Sequence, residues 1–385
     1  MRMNATRLES PPAEARSPAA PPRLALLELA RWIAIYAIVW LHTVQSDVLR
    51  PSTVLTRFAV PFFVAACVYL IFQGVHRNPQ RTFVRYGWSR FLRIYVPFLG
   101  WCVIYLAFKV LKGVFFPNQP NEYPHGWEVL RILWTGTFYH LWFMPFILLV
   151  SLAAFLVAKI VNQLAWLRWP VAIGSLIAGL ALTVPAVAEA GGWEDFPSQY
   201  VVFAMPAMFW AITLGLAFRP SIESRTHSTP HAPREDGGEQ PHAEREEYIR
   251  ISDAKCLATP NCPGSASCSR RFPVDILFFA GNMVLLGILG RSSLCENLAG
   301  ISLLLIALQP ADSPWLRRVG QFPSLAYGIY LSHLLPIKMF DSLATWQGLS
   351  PSWQLDAAVF LASAAAATLI AFVLNQFRWT RWLVA

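Results

Sequence analysis

The chain has 385 residues, of which 55% are hydrophobic, 14% aromatic and only 14% charged. A soluble domain carries about 25% charged residues, so soluble domains of this length would lack polar surface. A disordered chain, a disulfide scaffold and a nucleic-acid binder are excluded as descriptions of the whole. The bilayer is the solvent that fits a mean hydropathy of +0.43, and the net charge of +9 then reports orientation.

Residues 1–23 carry Arg2, Arg7, Arg16 and Arg23 among seven Pro and Ser positions, with no apolar core of a cleavable signal. They read as a disordered cytoplasmic tail. Apolar stretches follow near 24–42, 53–75, 91–111, 138–158, 169–188, 199–218, 272–290, 297–309, 322–340 and 355–376. About ten transmembrane helices are expected, and the fold class is all-α and polytopic. The eighth stretch is short and the ninth holds polar residues, so the count is open by one.

Basic residues gather in alternate connections. The N-terminal tail has four and the stretch 76–93 has five, all Arg. Lys159 and Arg168 flank the next alternate loop. The insert 219–271 has eight, Arg317 and Arg318 add two, and Arg378 and Arg381 end the chain. Together these are 23 of the 31 Lys and Arg residues, whereas 189–198 has Glu189, Glu194 and Asp195 and no base. By the positive-inside rule both termini are expected in the cytoplasm. The domain reading is a tail to residue 23, helices one to six over 24–218, a polar insert over 219–271, helices seven to ten over 272–376, and a short cytoplasmic tail over 377–385.

The insert balances eight basic against eight acidic residues and is rich in Pro, Ser, Gly and His, which is the composition of a solvated, largely disordered segment. Cys256, Cys262 and Cys268 recur every six residues, with His227, His231 and His242 upstream. Zinc ligands come in closer pairs, so reduced thiols are the expectation and no metal is expected.

The first stretch carries the chemistry. It reads Glu28, Arg31 and His42 within otherwise apolar sequence, and ionisable residues inside a span mark function by default. Glu28 and Arg31 are helical neighbours at i, i+3, which lowers the cost of burying either charge. Eleven residues separate Arg31 from His42. On a helix that is about 20° past three full turns with a rise of about 16 Å, so both share one face at two depths. Snorkelling of Arg31 and an interfacial place for His42 are the milder alternative.

At these residues the sequence resembles the acyltransferase 3 family of integral-membrane acyltransferases, whose first span has an acid three before an Arg, then ten residues, then a His. The resemblance continues through Ala59-Val-Pro61-Phe-Phe63 and Trp88-Ser-Arg90-Phe-Leu-Arg93-Ile-Tyr95-Val-Pro97. It takes in Phe138-Tyr-His140-Leu-Trp142-Phe-Met-Pro145 and ends at Tyr327-Gly-Ile-Tyr330-Leu-Ser-His333. The chain departs from the family in reading Val64-Ala65-Ala66-Cys67 where many members have Ser-Gly.

The resemblance implies transfer of an acyl group, acetyl foremost, from cytoplasmic acyl-CoA to a hydroxyl of a cell-surface or exported carbohydrate-type acceptor, in a bacterial cytoplasmic membrane. His42, Arg31 and Glu28 are the expected catalytic residues. Arg90 and Arg93 are expected to hold the phosphates of the CoA donor through charge-assisted hydrogen bonds. His140, Trp142, Tyr330, His333 and Arg57 are expected on the acceptor side. An imidazole can remove the acceptor's proton or carry the acyl group covalently, and the sequence leaves both open. The rival is a transporter or flippase that uses the same buried Glu, Arg and His as a substrate path without acyl transfer. Beyond the lipid bilayer and a small-molecule or glycan acceptor, the sequence points to no partner.

Overall fold

The computed structural model describes residues 25–115, 128–184, 198–218, 271–290, 292–309, 315–316 and 325–384. The expected N-terminal tail, the 189–195 acids, the insert with its Cys and His residues, and Arg317 and Arg318 lie outside them. The described residues are helical, with no strand among them.

The helices are α1 (Ala25–Thr43), α2 (Ala59–Arg77), α3 (Phe83–Arg90), α4 (Val96–Phe115), α5 (Glu128–Thr135), α6 (Phe143–Gln163) and α7 (Arg168–Ala181). They continue with α8 (Ser198–Ala217), α9 (Arg271–Leu289), α10 (Ser293–Ala307), α11 (Ala326–Ser332), α12 (Leu334–Trp346) and α13 (Trp353–Gln376). Among the described residues, five helical runs are long and apolar enough to cross a membrane: Ala25–Thr43, Arg50–Arg77, Phe83–Phe115, Tyr139–Gln163 and Trp353–Gln376. Shorter apolar helices cover Ala165–Ala181, Phe203–Ala217, Val274–Leu289 and Ser293–Ala307. The chain is an integral-membrane protein of all-α class.

The basic stretch 76–93 departs from the sequence reading of a loop. Thr82 caps α3 by accepting from the Arg85 N–H, and a π-helical turn at Phe91–Tyr95 joins α3 to α4. Only residues 78–82, with Pro79, form a link after α2, and from Phe83 the chain runs on as one helical rod to Phe115.

Helix α2 is the centre of the bundle and packs against α1, α6, α8 and α10. The approach of α10 is close because Gly300 has no side chain: a Cβ there would sit 2.7 Å from the Phe62 amide nitrogen and 3.0 Å from the Phe58 carbonyl. Small residues are what lets apolar helices touch backbone to backbone.

Pro206 interrupts the ladder of α8. Buried Asn297 of α10 repairs it, accepting from the Ala207 N–H at 2.9 Å and donating to the Phe203 carbonyl at 3.0 Å. A neighbouring side chain thereby satisfies polar backbone that lipid would leave bare.

Helix α1 is the seam of the molecule. One side meets α2 and α10, the other α11, α12 and α13. Tyr36 hydrogen-bonds Thr368 of α13 at 2.9 Å, and Trp40 donates to Ser52 at 2.8 Å.

The bundle has two distinct ends. At one, Lys159 donates to the Pro79 carbonyl at 2.6 Å, and Arg168 binds the last carbonyls of α8, Leu216 at 2.9 Å and Ala217 at 3.3 Å. Basic side chains are well suited to the negative end of a helix. Residues 377–384, read from sequence as a short tail, fold back against α4, where the buried Trp101 indole donates to the Leu383 carbonyl at 3.0 Å. The other end holds the α1–α2 link, the start of α6 and the α12–α13 link.

Candidate active site

The Glu28–Arg31 pair forms as its i, i+3 spacing requires. Arg31 donates to Glu28 at 2.6 Å. Glu28 is 7% exposed, and its second carboxylate oxygen has no hydrogen-bond partner among the described residues. Helix α1 runs unbroken from there to His42 in its last turn.

His42 does not stand alone. Its ring stacks on that of His333, with centroids 5.4 Å apart and planes at 27°. His140 meets His333 edge to face at 5.0 Å. His333, expected near mid-membrane, is therefore a neighbour of the residue expected near the outer end of the first span. His333 is fully buried and His140 is 2% exposed, whereas His42 is half-buried. Among the described residues no His, Cys, Asp or Glu group is disposed to hold a metal.

The tautomer of His333 follows from its partner. Its Nδ1 lies 2.7 Å from the Tyr330 carbonyl oxygen. A carbonyl only accepts, so Nδ1 carries the hydrogen of the neutral ring and Nε2 carries the lone pair. That Nε2 is buried without a partner among the described residues.

His140 is placed by the chain before it. Gly136 turns at φ +78°, in the left-handed region that favours glycine, and a Cβ there would lie 2.4 Å from that of Leu141. Thr137 then donates to the Cys102 carbonyl of α4 at 3.1 Å, and a 3₁₀ turn, Tyr139–Trp142, presents the imidazole. The Tyr330 hydroxyl donates to the His140 carbonyl, and the Tyr105 hydroxyl to the Leu331 carbonyl at 2.8 Å. These bonds tie α4, α11 and the 3₁₀ turn into one frame around the three rings. Trp142 is buried beside Phe143 and Phe146.

Three further candidates sit elsewhere. Arg90 donates to the Tyr86 hydroxyl at 3.0 Å and lies 5.2 Å from the centre of that ring; the Tyr86 ring in turn stacks on Phe155 at 4.0 Å. Arg93, one π-turn on, is exposed. Arg57 pairs with Glu296 of α10 at 2.6 Å and lies over the Phe203 ring at 4.9 Å. Its partners come from α8 and α10, apart from the helices that carry the histidines.

Sequence reasoning missed Glu296, Tyr139 and Asp356. Glu296 and Asp356 are buried acids, and their presence in apolar helices was the signal available. Asp356, in the first turn of α13, accepts from the backbone N–H of Gln45 at 3.2 Å and of Ser46 at 3.0 Å, and from the Ser46 hydroxyl. It clamps the chain just after His42. Tyr139 had no signal beyond its place beside His140.

The family model described as an acyltransferase domain matches residues 24–230, more than half of the chain. The match spans Glu28, Arg31, His42, Arg57, Arg90, Arg93, His140 and Trp142 and stops short of Tyr330 and His333. Comparisons with curated proteins and with solved structures gave no match. A bundle of apolar helices whose first rod carries Glu28, Arg31 and His42, together with this match, makes the chain a member of the acyltransferase 3 family and an integral-membrane acyltransferase.

Proposed function

We propose that the protein moves an acetyl group from acetyl-CoA, held at the basic end of the bundle, to a hydroxyl of a carbohydrate-type acceptor that arrives at the histidine end. The observation that carries this reading is the convergence of His42, His140 and His333 at the end of a helix whose same face bears Arg31. In this reading the chain crosses the membrane about ten times in a bacterial cytoplasmic membrane, with both termini and the basic end in the cytoplasm.

Each group has a chemical task. Arg90 and Arg93 hold the donor's phosphates, since guanidinium groups match phosphate oxygens with paired hydrogen bonds. Arg31 is permanently charged, and Glu28 fixes its direction; it orients the donor on the way to the histidine end. His42 is the half-buried member of the histidine group and meets the acceptor. As a base it takes the hydroxyl proton while the oxygen attacks the carbonyl; the C–S bond then breaks, and the proton passes to the CoA thiolate. His140, Trp142, Tyr330 and His333 shape the acceptor side. Arg57 joins that side paired with Glu296, so an acceptor would meet the two together.

The test is turnover of radiolabelled acetyl-CoA by protein purified into nanodiscs, with candidate glycans or exported metabolites as acceptors. Label should appear in the acceptor with the wild type and not with His42→Ala. Flux of acceptor across a vesicle membrane with no consumption of acetyl-CoA would instead establish the transporter.

A further inference from the structure

His42 sits in the last turn of α1 with one ring face covered by His333. Stacking limits the tilt of the imidazole and leaves open which nitrogen it presents. That choice falls to a residue outside the sequence-derived set. The Tyr139 hydroxyl lies 3.3 Å from His42 Nδ1, and the two rings meet edge to face at 5.3 Å.

Tyr139 is itself held in place. It opens the 3₁₀ turn whose approach is set by Gly136 and by the Thr137 bond to α4, and whose next residue, His140, is buried with its carbonyl bound by Tyr330. Its own side chain is 43% exposed, at the mouth of the histidine group. A hydroxyl fixed at Nδ1 occupies that nitrogen and leaves Nε2 for reactants.

The two ring nitrogens of a neutral histidine are not equivalent, and the bond at one decides the state of the other. If Nδ1–H donates to the tyrosine oxygen, Nε2 keeps its lone pair and can take a proton or attack a carbonyl. If instead the tyrosine donates, Nε2 carries the hydrogen and can do neither. His333 already shows the first pattern, with its Nδ1 tied to an oxygen and its Nε2 left.

We propose that Tyr139 is the positioning residue of His42: its hydroxyl oxygen accepts from Nδ1–H and thereby makes Nε2 the reactive nitrogen. This deepens the acyl-transfer reading above and rests on it. Tyr139 acts through His42, whichever of base or acyl carrier His42 is.

The experiment combines Tyr139→Phe kinetics with ¹⁵N-histidine spectra of the protein in nanodiscs, using acetyl-CoA and the acceptor found by the turnover assay. Phenylalanine keeps the ring and removes only the oxygen. The expected result is a fall in kcat of about tenfold, the worth of one neutral hydrogen bond, with both KM values within about twofold. The His42 signal should show Nδ1–H in the wild type and a mixture of tautomers in Tyr139→Phe. Nε2–H in wild-type His42 overturns the proposal, and that measurement needs no variant. Unchanged kcat in Tyr139→Phe, or a raised acceptor KM with kcat intact, overturns it too. Should Tyr139→Phe be fully active while His42→Ala is dead, this inference falls and the site stands. If His42→Ala is also active, the reading of the site falls with it.

Discussion

Asp356, in the first turn of α13, grips the backbone amides of Gln45 and Ser46, so the end of α1 that carries His42 is fastened to the opposite side of the bundle. The carboxylate accepts three hydrogen bonds in a buried place. Removing it leaves those donors without their acceptor, and each such loss costs about 1–3 kcal/mol. Asp356→Ala should therefore lower both thermal stability in nanodiscs and transfer activity. Asp356→Asn keeps one carbonyl acceptor and should fall between. Wild-type melting in Asp356→Ala would show that the clamp is not needed.

His42→Ala should abolish measurable transfer, since a positioned proton-accepting group contributes about 10²–10⁴-fold. The fold should survive, because the residue is half-buried at a helix end. Acetyl-CoA consumption and a thermal melt, measured on the same preparation, separate the two effects.

The Arg57–Glu296 pair predicts an asymmetry. Glu296→Ala strands a half-buried guanidinium, which costs at most about 3–5 kcal/mol, the range for fully buried pairs. Replacing both residues by apolar side chains of similar size removes the stranded charge and should recover most of that loss. A double-mutant cycle on melting temperature reads the difference. If the double variant is no better than Glu296→Ala, the two residues are not coupled in this way.

Asn297→Leu should destabilise the bundle more than its modest change in volume suggests. It withdraws the acceptor for the Ala207 N–H and the donor to the Phe203 carbonyl at the Pro206 break. Unpaired backbone groups in an apolar interior cost about 1–3 kcal/mol each on protein scales. Changing Pro206 to Ala in the same chain restores the helix's own ladder and should offset part of the loss. Hydrogen exchange at Ala207 follows the repair directly.

The α1 stripe was legible because helical periodicity converts spacing into direction: Glu28, Arg31 and His42 needed no tertiary information. The membrane class was legible from composition for a similar reason. Periodicity says nothing, however, about which helices meet. His42, His140 and His333 lie far apart in sequence, and only packing of α1 against α11, together with the turn after Gly136, brings them to one place. Arg57 shows the same limit from the other side. Its position in the second apolar stretch suggested an acceptor contact, and nothing in that spacing pointed to its partner Glu296, 239 residues away.

The absence of any break in α1 between Arg31 and His42 has a mechanical corollary. A continuous helix is a ruler, and hinge motion in it cannot bring two of its own side chains together. The gap of about 16 Å set by eleven residues of rise must be bridged by whatever travels along that face. A cargo on a long, pliant tether suits such a protein, and one on a stub does not.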